Sequence, residues 1–155
     1  MRNIAILENI RSAYNVGNIF RTADALWWDV VVSWYTPTPA NNIKVAKTSL
    51  GAEDNIERMR YADTHKACEE LRAKWYEIIA AEIHERAISL DAFTQKEKPT
   101  YSAGKPLAVV FGNEVVGVEV ETLDMVDDIV YIPMQWHKES LNVGQSAAIF
   151  MRELR

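Results

Sequence analysis

Three short stretches carry side chains whose types and spacing could do chemistry. The first, residues 9–26 (NIRSAYNVGNIFRTADAL), sets Asn15 and Arg21 six positions apart on one helical segment that starts from a polar loop. An arginine keeps its proton up to a pH above ~12, so Arg21 is a poor general base. It is suited to orienting a substrate and stabilising developing negative charge, or, alternatively, to pairing with Asp24 at the adjacent turn. The second stretch, residues 107–118 (LAVVFGNEVVGV), places Gly112 directly after an apolar run, where a ligand can approach the backbone closely. Asn113 and Glu114 follow at what would be a strand's carboxyl end, where open α/β sheets bind ligands. The third stretch, residues 129–155, begins as a buried strand that Pro133 stops and continues through a polar turn at 135–139. Ser140-Leu141-Asn142 then leads into an apolar helix carrying Val143, Ala147, Ala148, Phe150 and Met151. The first N–H groups of a helix lack intrahelical partners, so strand, loop and helix start form a seat for a small cofactor. Packing alone gives many parallel α/β domains the same ending.

These residues need elements to position them. Residues 3–7 read as a first strand, ended by the polar Glu8-Asn9, and Asn15 can cap a helix over 16–26 with Ile19, Phe20, Ala23 and Leu26 on one stripe. The β-branched run 29–33 is a second buried strand, and the proline-containing segment 35–42 a loop. Helices are expected over 43–50 and 64–74, a strand over 76–81, a turn or short helix over 89–93, and a surface loop over 95–105. A buried strand at 107–111 and a short helix at 118–125 precede the final strand and helix. Strands alternating with helices predict a parallel sheet covered on both faces.

Composition bounds the answer further. At 155 residues, 48% apolar and 25% charged, the chain reads as one globular domain. No apolar run approaches the ~18 residues of a membrane span, and the N-terminus enters strand-like sequence without a signal peptide. The lone Cys68 lies in a polar helical stretch and cannot form an internal disulfide, which fits a reducing cytoplasm. Three scattered histidines and one cysteine make no metal-ligand cluster. A net charge of −5 disfavours a protein that merely coats nucleic acid, yet leaves room for a local basic patch from residues such as Arg11, Lys47 and Lys138. No Gly-x-Gly-x-x-Gly phosphate loop is present, so a donor without phosphates is favoured over a dinucleotide.

Taken in order and at these distances, the NIRSAYNVGNIFRTADAL, FGNE and IPM…SLNVG stretches resemble the TrmH/SpoU branch of the SPOUT RNA methyltransferases. These α/β-knot enzymes methylate ribose 2′-hydroxyls with S-adenosylmethionine. The resemblance implies a Rossmann-like α/β fold whose C-terminal segment forms a trefoil knot, a feature that general topology rules would not suggest. It implies Arg21 as the catalytic arginine, with Asn15, Glu114, Ser140 and Asn142 in the active site and Glu114 positioning Arg21 or the substrate. It implies donor contacts from Gly112, Ile132, Met134, Trp136, Ser140 and Leu141, with a further wall near Ala81. Arg11 would hold RNA phosphate, the substrate would be tRNA or rRNA, and the enzyme would act as a homodimer whose active site uses both subunits. The N-terminal RNA-binding extension of several relatives is not expected here, since the first motif begins almost at once.

One pattern departs from the family. Trp27, Trp34, Trp75 and Trp136 stand at turns where glycine is usual, whereas Trp28 occupies a more variable place. A tryptophan replacing a turn glycine is strained wherever φ is positive. Repetition at four turns motivates the hypothesis of UGA codons read as glycine in the source organism, the alternative being genuine tryptophans with compensating changes; UGG at these positions would refute the codon reading. For the chain as written, Trp136 would crowd the donor pocket. A non-catalytic RNA-binding knot protein is therefore the second reading, and a base-modifying SPOUT enzyme the third, disfavoured by the ribose-type FGNE and SLN motifs.

Overall fold

The computed structural model describes residues 1–95, 104–135, 137 and 139–155. In chain order its elements are β1 (Ile4–Leu7), α1 (Ala13–Leu26), β2 (Asp29–Ser33), α2 (Ile43–Ser49), β3 (Arg58–Tyr61), α3 (Thr64–Ala73), β4 (Glu77–Ala81), β5 (Ile88–Ser89), α4 (Leu90–Thr94), β6 (Leu107–Phe111), α5 (Val120–Met125), β7 (Asp128–Tyr131) and α6 (Val143–Glu153). Among the described residues seven strands form one sheet in the order β3-β2-β1-β6-β4-β7-β5, and every ladder is parallel.

Strand side chains alternate between two cores, as the pleat requires. Ala5, Leu7, Val30, Val32, Val109 and Phe111 pack beneath α1 and α6, whereas Ile4, Ile6, Val31, Ala108 and Val110 pack beneath α3 and α5. The expected coverage of both faces is therefore present, and it explains why the central strands read as continuous apolar runs. On one face α1 lies against α2 so closely that a Cβ on Gly17 would stand 2.5 Å from Thr48 Cβ and 2.9 Å from the Val45 carbonyl.

Strand β7 lies between β4 and β5, whose connection, residues 82–87, must pass around it. The chain that leaves β7 thus emerges at a loop belonging to an earlier part of the sequence, an arrangement compatible with the threaded C-terminal segment that the resemblance implies.

The structure corrects several sequence expectations. Helix α1 starts at Ala13, not at residue 16, because Ser12 is its N-cap and accepts from the Asn15 N–H at 3.3 Å. Asn15 lies inside the helix, buried, with its side chain free for distant partners. Strands β3 and β5 were not expected. The first is an edge strand, RMRY, with Arg58 and Arg60 exposed, so it lacks the apolar run that marks a buried strand; the second is too short to show a period. Cys68 lies in the expected polar helical stretch, α3, on its buried side, and burial, with Glu8 adding to it, pushes its thiol up to about 12.

Trp27 (φ 64°), Trp34 (φ 49°) and Trp75 (φ 72°) all adopt left-handed backbone, a region shared among non-glycine residues with Asn9 and Leu50. Their side chains are 66%, 62% and 57% exposed. Trp28, the one tryptophan not expected to replace a glycine, is 1% exposed and belongs to the core. Trp136 lies outside the described residues.

At the carboxyl end of β1, Glu8 is fully buried, accepting from Thr122 Oγ1 at 2.6 Å and from the Glu119 N–H at 2.8 Å. Burial raises its pKa more than these donors lower it, and the Glu119 carboxylate adds to the rise. The folded chain therefore holds this proton more tightly than the unfolded chain does. Glu8's contribution to stability falls as pH rises from the ordinary carboxylate value through the raised one. Glu8→Gln is expected to flatten that decline, measured as unfolding free energy across pH; an unchanged slope would remove Glu8 as its source.

Candidate functional site

Three segments distant in sequence meet at the carboxyl edge of the sheet through one run of hydrogen bonds. Glu114, in the loop after β6, accepts from the Ser12 N–H at 2.9 Å, from Asn15 Nδ2 at 3.0 Å and, through its other oxygen, from the Arg11 N–H at 3.0 Å. The Ser12 N–H, at the N-cap of α1, is free to donate because the first N–H groups of a helix have no intrahelical acceptor. Partial burial pushes the Glu114 carboxyl upward, but the N–H donors outweigh it and hold its pKa below the ordinary carboxylate value. Glu114 is thus ionised at neutral pH and pins the start of α1. From there Asn15 Oδ1 accepts from Asn142 Nδ2 at 3.1 Å, while Asn142 Oδ1 caps α6 by accepting from the Gly144 N–H at 2.9 Å.

A cavity of about 400 Å³ opens beside this run, at the ends of β4, β6 and β7. Gly112 closes one side: a Cβ there would lie 2.3 Å from the Gly117 carbonyl carbon and the Val118 nitrogen. The expectation that Gly112 is glycine so that a ligand can approach is therefore only part of the account, because its own loop folds back on it. The Asn113–Gly117 backbone pair fixes that fold, with both N–H groups donating to the opposite carbonyl at 3.0 and 2.9 Å. Ile132, Met134, Leu141, Ser140 and Ala81 also line the space.

Arg21 does not line this cavity. It stands in a shallow groove between the outer faces of α1 and α6, with Tyr14, Asn18, Asn142 and Gln145. Asn142 is common to the groove and the cavity. Among the described residues Arg21 has no hydrogen bond or ion pair, and Asp24 instead accepts from Asn55 Nδ2 at 3.2 Å. The alternative Arg21–Asp24 pairing is not realised, and the guanidinium is left available.

The SpoU rRNA methylase family model matches residues 2–152 of this chain. The chain belongs to the SpoU rRNA methylase family. A Staphylococcus haemolyticus protein assigned to the TrmH family of tRNA/rRNA methyltransferases is 31% identical over 154 residues, covering 99% of this chain and 58% of the relative. This chain thus spans a little over half the length of that relative. Among solved structures, an AdoMet-bound rRNA methyltransferase from Sinorhizobium meliloti superposes with a TM-score of 0.86 at 23% identity, over 99% of this chain and 56% of that one. A structure concerned with 2-OH methylation of C/U34 on tRNA gives 0.83 at 20% identity, over 99% of this chain and 93% of that one. Both share the fold of the SpoU-family domain described here.

In this SpoU-family site, Asn15, Glu114 and Asn142 are brought into one hydrogen-bonded run, and Ala81, Gly112, Ile132, Met134, Ser140 and Leu141 into one cavity. Of the two expected roles of Glu114, positioning Arg21 or the substrate, a hydrogen bond to Arg21 is not formed; Glu114 instead holds the start of α1. Ser140 lines the cavity without a side-chain hydrogen bond to a described residue, whereas Asn142 braces the start of α6. Arg11 is exposed beside Glu114, and Lys47 is exposed in the last turn of α2. Trp136 and Lys138, expected at the donor and the RNA respectively, lie outside the described residues. Among those residues no group of acidic, histidine and cysteine side chains could hold a metal, and no helix is long and apolar enough to cross a membrane. Sequence reasoning missed Ser12 and Glu82. A serine three residues before Asn15 was the available sign of the first, and an acid directly after an apolar strand the sign of the second.

Proposed function

We propose that this chain is the catalytic domain of an S-adenosylmethionine-dependent RNA ribose 2′-O-methyltransferase acting on tRNA or rRNA. The observation that carries the reading is the Glu114–Asn15–Asn142 run, which joins the donor cavity to the groove that holds Arg21. The cavity fits the donor: apolar side chains face backbone groups, and no Lys, Arg or His among the described residues lines it to receive a phosphate. Gly112, Ile132, Met134 and Leu141 would hold the adenosine part. When bound, S-adenosylmethionine supplies an electrophilic methyl group on a sulfonium.

The chain's own residues supply position and charge. Asn142 and Ser140 set the mouth of the cavity toward the groove. Arg21 orients the ribose hydroxyl and stabilises the oxygen as its O–C bond forms and the S–C bond breaks, while the hydroxyl proton passes to a substrate phosphate oxygen or to water. Such preorganised cationic stabilisation needs no titration of the arginine. Arg11 and Lys47 hold RNA phosphates. The 2-OH methylation named for the tRNA-directed neighbour supports the ribose as target.

The working unit in this reading is a cytoplasmic homodimer. Tyr14, 66% exposed, and Gln145 leave the groove around Arg21 open on its outer side, where a second copy would complete it.

Calorimetry with S-adenosylmethionine on the chain as written and on Trp136→Gly tests the donor site. Binding is expected for Trp136→Gly, at least about tenfold tighter than for the written chain, since the family resemblance assigns this position to the donor loop, where a bulky side chain would oppose binding by steric overlap. Binding by neither protein would defeat the donor reading and favour a non-catalytic RNA-binding role. Digestion of methylated RNA to nucleosides and mass spectrometry then reads the modified atom; a base methyl would overturn the ribose assignment.

A further inference from the structure

Glu82 is a charged side chain on the cavity wall that lies outside all three motifs. It follows β4 directly, and its backbone N–H continues the sheet by donating to the Val130 carbonyl at 3.0 Å. Its carboxylate accepts from the Val118 N–H at 2.9 Å through Oε2 and from the Ile83 N–H at 2.8 Å through Oε1. A Cβ on Gly117 (φ 76°) would lie 2.3 Å from that same Oε2, so a glycine at this turn is the condition for the carboxylate's position.

The two backbone donors fix the carboxylate in place without exhausting it, since an ionised carboxylate offers about four acceptor sites. The wall's other acid, Glu114, is engaged by three N–H donors at the start of α1. Of the two acids that line the cavity, Glu82 thus keeps the greater spare acceptor capacity, and among the described lining residues no basic side chain competes for it. An acid at the carboxyl end of a parallel strand is the position from which α/β nucleotide sites hold ribose hydroxyls. What remains on Glu82 is directional acceptor capacity, which suits a pair of O–H donors better than a diffuse sulfonium charge.

We propose that Glu82 is a further donor-recognising residue, accepting hydrogen bonds from the vicinal hydroxyls of the donor's ribose. This rests on the donor reading above and adds to it the part of the ligand that this wall selects. The same carboxylate carries the Gly117–Val118 turn, so donor binding and the order of the FGNE loop are linked through one side chain.

The test is calorimetry with S-adenosylmethionine and S-adenosylhomocysteine on the parent and on Glu82→Gln, using whichever of the written chain and Trp136→Gly binds. Competition by adenosine and by 2′,3′-dideoxyadenosine accompanies it. Both thio ligands carry the same diol, so Glu82→Gln is expected to weaken them by one common factor of about ten, the value of a charge-assisted hydrogen bond. The parent is expected to prefer adenosine to the dideoxy compound, and that preference should shrink in the variant. Equal affinity of the parent for the two nucleosides overturns the proposal without depending on how the variant folds. A loss confined to S-adenosylmethionine overturns it in favour of sulfonium recognition, and an unchanged variant reduces Glu82 to support of the turn. In each of those outcomes the donor reading stands; a parent that binds no thio ligand defeats both.

Discussion

Arg21→Ala is expected to slow methyl transfer to RNA by at least about 10²-fold, the usual cost of deleting one preorganised charge-stabilising donor, while S-adenosylmethionine affinity stays within about twofold. The split follows from placement. Arg21 occupies the α1–α6 groove and is absent from the lining of the donor cavity, which meets that groove at Asn142. Its helix is anchored at the far end by Glu114 and Ser12, and the guanidinium has no hydrogen bond among the described residues, so truncation should leave the fold intact. Single-turnover rates at saturating RNA distinguish a role in the chemical step from RNA capture: the first lowers the rate, the second only raises KM. Arg21→Lys keeps the charge but not the planar fork, and should recover only part of the loss. A fully active Arg21→Ala enzyme would remove Arg21 from the mechanism.

The second large effect is on stability, and its sign is unusual. Most replacements of tryptophan by glycine destabilise, yet the triple change Trp27→Gly, Trp34→Gly and Trp75→Gly is expected to stabilise the chain by about 2–3 kcal/mol in total. Each position holds an L-residue in left-handed backbone, which costs roughly 1–2 kcal/mol, and the extra chain entropy that glycine loses on folding leaves about 1 kcal/mol net per position. The exposed rings return little: Trp27 stacks with Arg2 at 5.1 Å, a contact worth about 0.5–1 kcal/mol, and that offset is included in the total. For a domain of this size the melting temperature should rise by roughly 5–10 °C. Trp28→Gly supplies the control. Adjacent to Trp27 but 1% exposed, it should cost about 3–5 kcal/mol. A triple variant less stable than the parent would mean that the turns have adapted to tryptophan. Its success would add weight to UGA codons read as glycine, which the gene sequence itself decides.

How far the sequence was legible varies with the kind of signal. Buried parallel strands announced themselves as β-branched runs, so β1, β2, β4, β6 and β7 were expected within a residue or two of their positions. The edge strand β3 escaped because its one packed face leaves a charged, alternating RMRY, and β5 because two residues carry no period. The tryptophans were read as departures from the family's turn glycines, and positive φ at Trp27, Trp34 and Trp75 agrees with that reading.

The site divides in the same way. The three sequence motifs marked Asn15, Arg21, Gly112, Glu114, Ser140 and Asn142 as residues of interest, and the family resemblance supplied their roles. Neither could say which of them touch. That Glu114 bonds Asn15 across 99 positions, and Asn15 bonds Asn142 across 127, depends on where the parallel strands end relative to one another. Nor could local pattern assign Ser12 rather than Asn15 as the cap, since either residue type serves; the choice falls to Ser12 because Asn15 is drawn into the Glu114–Asn142 run. Glu82 became a candidate only when β4 set it beside Gly117. Sequence alone determined the buried strands, the motifs and the family resemblance, because these rest on local periodicity and residue type. Tertiary structure decided the partners, the separation of Arg21 from the donor cavity and the spare capacity of Glu82, because hydrogen-bond geometry between distant segments exists only once the sheet has aligned them.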